Sequence, residues 1–196
     1  MNGERHIVTG LALAADAGLL AERAAAAFPD AGSYLRDILS PLSVYGRGPA
    51  GWLVCAGCAG LYVFGSVLPD VDNGGVASKW LHFTLPVRHR GWTHALWSVF
   101  LFMGLSVFCP PLWILRWLAV GMLAHDLMDA PSDAGWAPFY PLGKWRVYHN
   151  TVIARKRPTG LYGSSKPGSE AVFAGVVVAV SAAWWGFWAY LSFFAA

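Results

Sequence analysis

The chain has 196 residues, of which 56% are hydrophobic and only 13% are charged, and its mean hydropathy is +0.46. A soluble domain carries about 25% charged residues, so the composition argues against a water-soluble globule, and the length suits one membrane-embedded unit over 1–196 rather than two. The formal net charge of +3 is too small to point to nucleic acid as a partner, and in a membrane chain the placement of charge counts for more than its sum.

The N-terminus does not read as a cleaved signal, because the apolar stretch before Leu11-Ala12-Leu13-Ala14 is short and Glu4 cancels Arg5. Residues 7–28 are rich in Ala and Leu and read as helical, although Asp16, Glu22 and Arg23 interrupt them. They form either a crossing or an amphipathic helix at the interface; a crossing is the preferred expectation. Residues 29–51 read as a loop. Trp52–Leu68 is uncharged and stops at Pro69. Its CAGC (Cys55 to Cys58) has no second pair nearby, so it reads as small packing residues rather than as a zinc or redox motif. Trp92–Phe108 is broken only by His94, and Cys109-Pro110-Pro111 makes a tight hairpin. Leu112–Met128 carries Arg116 at one end and His125-Asp126 at the other. Residues 131–170 form a polar loop rich in Gly, Pro, Lys and Arg. Ala171–Phe194 is uncharged and rich in tryptophan, as interface-anchored spans are. Each of these four apolar segments approaches the roughly 20 residues a spanning helix needs. The expectation is an all-α, polytopic bundle of four to five transmembrane helices.

Tracking direction through those spans brings the polar motifs to one side. Trp52–Leu68 delivers Leu68-Pro69-Asp70-Val71-Asp72 to a face of the membrane from which the next span begins, at Val87-Arg88-His89-Arg90-Gly91-Trp92-Thr93-His94. After the hairpin, the third span returns His125-Asp126-Leu127-Met128-Asp129 to that face. Ten of the fourteen Lys and Arg residues lie on that side, with Arg23, Arg36, Arg47 and Arg116 opposite. That excess marks the motif face as cytoplasmic, so the expectation is a multi-pass membrane protein whose site faces inward.

His125 and Asp129 are four apart, so on a helix they project from one face. Charged groups in an apolar helix cost on the order of 2.5–3.5 kcal/mol at mid-membrane and less near its end; the pair either shares a cation or bonds to itself at the interface. Asp70 and Asp72 could both ligate a metal, or merely solvate a helix end after Pro69. His89 and His94 flank a glycine that lets the backbone turn between them. Imidazole with carboxylate suits zinc, manganese or iron, and an open position would hold a water of lowered pKa. Asp126 projects about 100° from His125 and is left outside the ligand set. His82, His149 and the basic cluster Arg155-Lys156-Arg157 read as solvated or headgroup-binding residues.

LPDVD (Leu68–Asp72), HRGWTH (His89–His94) and GMLAHDLMD (Gly121–Asp129) in this order resemble the YdjM-like family of membrane-bound, metal-dependent hydrolases, which looks related to zinc-dependent phospholipase C-type enzymes. The resemblance runs from His6 to about Leu142, where PFYPLG is similar to the segment after the family's last motif. It implies a metal site drawn from His6, Asp70, Asp72, His89, His94, His125 and Asp129, holding one or two divalent ions, zinc before manganese or iron. The resulting expectation is a multi-pass protein of the bacterial inner membrane that hydrolyses a phosphoester in a membrane lipid or other amphiphile by metal-activated water at the cytoplasmic face. Asp70 or Asp72 would act as base, and Arg90 with Arg88 would clamp an anionic group. The alternative is a non-catalytic assembly component or ion transporter using the same cluster, although a transporter places such groups near the midplane.

Overall fold

In the computed structural model, the described residues are 5, 7–13, 48–132, 135–142, 147–148, 151–152 and 168–194. They contain α1 (Pro49–Gly65), α2 (Val76–Leu81), α3 (Leu96–Phe108), α4 (Leu115–Asp129) and α5 (Ser169–Phe194). Residues 7–13 are also helical. Short 3₁₀ turns stand at Leu68–Asp72, Trp92–His94 and Pro110–Leu112. The all-α expectation holds; among the described residues the one exception is a two-residue antiparallel ladder, Val147–Tyr148 with Thr151–Val152.

The helix limits differ from the sequence expectation in ways that matter for the site. Helix α1 starts at Pro49, not Trp52, because proline is pre-set for a first turn; residues 49–51 therefore leave the expected loop. Helix α3 starts only at Leu96. The WTH of the motif forms its own 3₁₀ turn, and Ala95 between them is extended. At 1.5 Å per residue, the 17, 13 and 15 residues of α1, α3 and α4 reach roughly 26, 20 and 22 Å, short of a hydrocarbon core of about 30 Å. One described helix is long and apolar enough to cross, over Ser169–Phe187 in α5. The four to five crossings are thus met by length for one described helix, and the expected crossing over 7–28 lies largely outside the described residues.

Helices α1 and α4 approach until their backbones touch. A Cβ on Gly65 would run into the carbonyl of Leu118, and one on Gly121 into the carbonyl of Tyr62. Small residues at such crossings are what allow close packing of apolar helices. Beside this seam, Val99, Leu118, Ala119 and Met122 form a buried cluster between α3 and α4. A second cluster, Val67, Val71 and Ala77, fixes the LPDVD turn against α2. The Ser78 hydroxyl donates to Val71 O at 2.7 Å and Leu85 N to the same carbonyl at 3.1 Å, so the turn is held from both sides. The N-terminal helical residues dock here too, through Tyr62 Oη on Gly10 O and an Arg5–Glu170 ion pair of 3.1 Å to the start of α5.

Candidate metal centre

The backbone contact at Gly65 and Gly121 decides where the site forms. One turn beyond Gly121 stands His125, and its Nδ1 donates to Ser66 O, just past the end of α1, at 2.8 Å. A carbonyl can only accept, so Nδ1 carries the proton and Nε2 presents a lone pair. His94 is fixed in the same sense. The Thr93 hydroxyl spends its proton on Asp72 Oδ2 at 2.6 Å, so at 3.1 Å from His94 Nδ1 it accepts. Its Nε2 therefore presents a lone pair as well.

These two lone pairs face each other at 3.3 Å. Around them stand Asp70 Oδ1, 3.5 Å from His94 Nε2 and 3.7 Å from His125 Nε2, and Asp129 Oδ2, 3.8 Å from each. In this tautomer two imidazole acceptors and two carboxylates converge on one space, and a cation among them would answer their mutual repulsion. With sides of 3.3–3.8 Å, the His94–His125–Asp129 triangle and the Asp70–His94–His125 triangle each leave room for an ion about 2.0–2.2 Å from its three donor atoms, the range of zinc bonds to His nitrogen and carboxylate oxygen. The donor set fits a divalent metal. His94, His125 and Asp129 are almost fully buried while the Asp70 side chain is 14% exposed, so the open side is beside Asp70.

The remaining expected residues stand around this tetrad. His89 contributes a ring nitrogen within 4.8 Å of ligand atoms of Asp70 and His94, is partly exposed, and holds Asp72 Oδ1 through Nδ1 at 2.7 Å. Asp72 is not brought into the tetrad. It lies 3.8 Å from His94 on the Nδ1 side, away from the ligating nitrogen, and orients His89 and Thr93. Arg90 reaches Asp129 Oδ2 at 3.0 Å and donates to Ser132 Oγ and Gly135 O, both at 2.8 Å. Its guanidinium is thus committed to a ligand and to the chain after α4 rather than turned outward, with its backbone in the left-handed region at φ 58, a conformation such contacts must maintain. Arg88 is exposed. His6 lies outside the described residues, as does His149.

Several partners have no signal in motif spacing. Ser66 acts through its carbonyl, which any residue has. Thr93 lies inside HRGWTH, but its bond to Asp72 depends on the 3₁₀ turn. The start of the expected polar loop packs against the site: Trp136 Nε1 donates to His94 O at 2.6 Å, and Leu96 N to Pro138 O at 2.9 Å. Only the PFYPLG similarity hinted at that segment.

A family model described as YdjM inner membrane protein matches residues 1–193. The chain belongs to that family. No curated protein and no solved structure matches it.

Proposed function

For this member of an inner-membrane family, we propose a metal-dependent hydrolase that cleaves a phosphoester in a membrane lipid or other amphiphile, with its site on the cytoplasmic side. The observation that carries the reading is the pair of His Nε2 atoms 3.3 Å apart, with an Asp70 and an Asp129 oxygen each 3.5–3.8 Å from both. Zinc suits the mixed nitrogen and oxygen donors, and manganese or iron are compatible with them. A bound ion would polarise a phosphoryl oxygen and lower the pKa of a water ligand.

The chain's own residues supply the rest. Asp70, the most exposed of the four ligand side chains, borders the side from which substrate and water come. His89 stands at that rim with Asp72 behind it. The Asp72 carboxylate fixes the His89 ring through Nδ1 and leaves Nε2 toward Asn73 at 3.5 Å, so the dyad can take a proton from attacking water and return it to the leaving group. This moves the base from Asp70 or Asp72 alone to His89 with Asp72 as its orienter. Arg90 holds Asp129 in place through their 3.0 Å ion pair. The apolar helix α3 that follows the HRGWTH motif, with Phe100 and Leu101 exposed, favours an amphiphile over a soluble substrate.

The test uses full-length protein purified in detergent and returned to phospholipid vesicles. Elemental analysis is expected to find tightly held divalent metal. Release of phosphorylated headgroup or phosphate is expected to stop on chelation and return with metal. His89→Ala is expected to keep the ion and lose turnover. Metal-loaded protein that releases nothing from any phospholipid class tested would remove the hydrolase reading.

A further inference from the structure

Asp126 is fully buried, and neither of its carboxylate oxygens has a hydrogen-bond partner. An ionised carboxylate in that state is among the costliest arrangements a fold can hold, and native structures compensate it with a donor, a cation or a proton. Around α4, Asp129 lies about 40° and Asp126 about 100° from His125, so Asp129 stands between them. Asp126 therefore flanks Asp129 on the side away from His125. The charges it senses are Asp129, Arg90 and Asp70. Of these, the one cation is already engaged, since Arg90 spends its nitrogens on Asp129, Ser132 and Gly135.

We propose that Asp126 holds a second, hard divalent cation, joined to the first centre through the carboxylate of Asp129. Carboxylates three apart on a helix are neighbours, and a bridging carboxylate is how paired ions are kept about 3.5–4 Å apart in two-metal hydrolytic sites. The two donors placed on this flank, Asp126 and Asp129, are both carboxylates, so the ion is of the magnesium or manganese class rather than zinc. The division of labour follows from the side chains: the nitrogen-rich tetrad takes the softer ion and the Asp126 flank the harder one.

This inference rests on the tetrad being a metal centre, and the experiment separates the two. Full-length protein in detergent is loaded with one equivalent of zinc and then titrated with manganese. Bound manganese is counted by loss of the free-ion paramagnetic signal. Wild type is expected to hold one zinc and one manganese, and Asp126→Asn to keep zinc while losing the manganese equivalent. Asp126→Leu, which suits the apolar helix, is the second variant in case the asparagine form does not fold. Wild type that takes zinc but no manganese overturns the second site. So does either folded variant that binds manganese as wild type does, the result expected if Asp126 holds a proton. A folded variant that loses both ions overturns it too, by making Asp126 part of the first centre. Wild type that takes no zinc refutes the tetrad itself.

Discussion

Gly121→Ala is predicted to damage the metal centre without touching a ligand. The added Cβ would lie 2.9 Å from Ser66 N and 3.1 Å from Gly65 C, besides colliding with Tyr62 O. Ordinary carbon contacts begin about 0.5 Å further out, so α4 must slide away from α1, and backbone offers no flexible end to yield. Overpacking of this kind costs roughly 1–3 kcal/mol. His125 moves with its helix, and its 2.8 Å bond to Ser66 O is lost or stretched, which adds about 1–3 kcal/mol for a buried polar pair. The sum is on the order of 2–6 kcal/mol, a large part of typical stability. Losing the group that orients a ligating histidine also lowers metal affinity by about 10–100-fold. The assay is thermal unfolding in detergent with a zinc titration on the same preparation. Gly104→Ala on α3 is the control, because nothing lies within 4 Å of its added Cβ and alanine gains up to about 1 kcal/mol over glycine in a helix. A Gly121→Ala protein that melts and binds zinc like wild type would refute the argument that this crossing builds the site, as would equal damage from Gly104→Ala.

Chelating the metal is predicted to lower the melting temperature, since an ion at 1,000 times its Kd adds about 4 kcal/mol; unchanged melting in a protein shown to lose its ion would count against the tetrad. His125→Ala is predicted to lose metal while the protein still inserts, and loss of insertion would favour a purely structural role for the His and Asp residues. Arg90→Lys keeps the charge but cannot reach Asp129, Ser132 and Gly135 together; it is expected to weaken zinc binding about 10-fold or more, and full retention would show that Asp129 needs no such support. With Cys55, Cys58 and Cys109 replaced by serine, a cysteine at Lys166 is predicted to resist impermeant labelling from outside intact cells and one at Pro111 to accept it. The opposite pattern would reverse the orientation.

Membership of a membrane class, the helical character of the chain and the three ligand-bearing motifs were legible in the sequence, because each rests on local facts. Apolar runs, proline stops and the i, i+4 spacing of His125 and Asp129 need no knowledge of distant contacts. The local view and the family resemblance placed Asp72 in the ligand set, and neither says which side of His94 a carboxylate meets. That is a tertiary matter. The Gly65–Gly121 contact set the height of His125 against Ser66, the 3₁₀ turn at Trp92–His94 turned one histidine inward and left His89 at the rim, and the chain after α4 folded back to occupy Arg90. Motif spacing named the ligand candidates; only the packing of two helix backbones decided which of them stand within reach of one another.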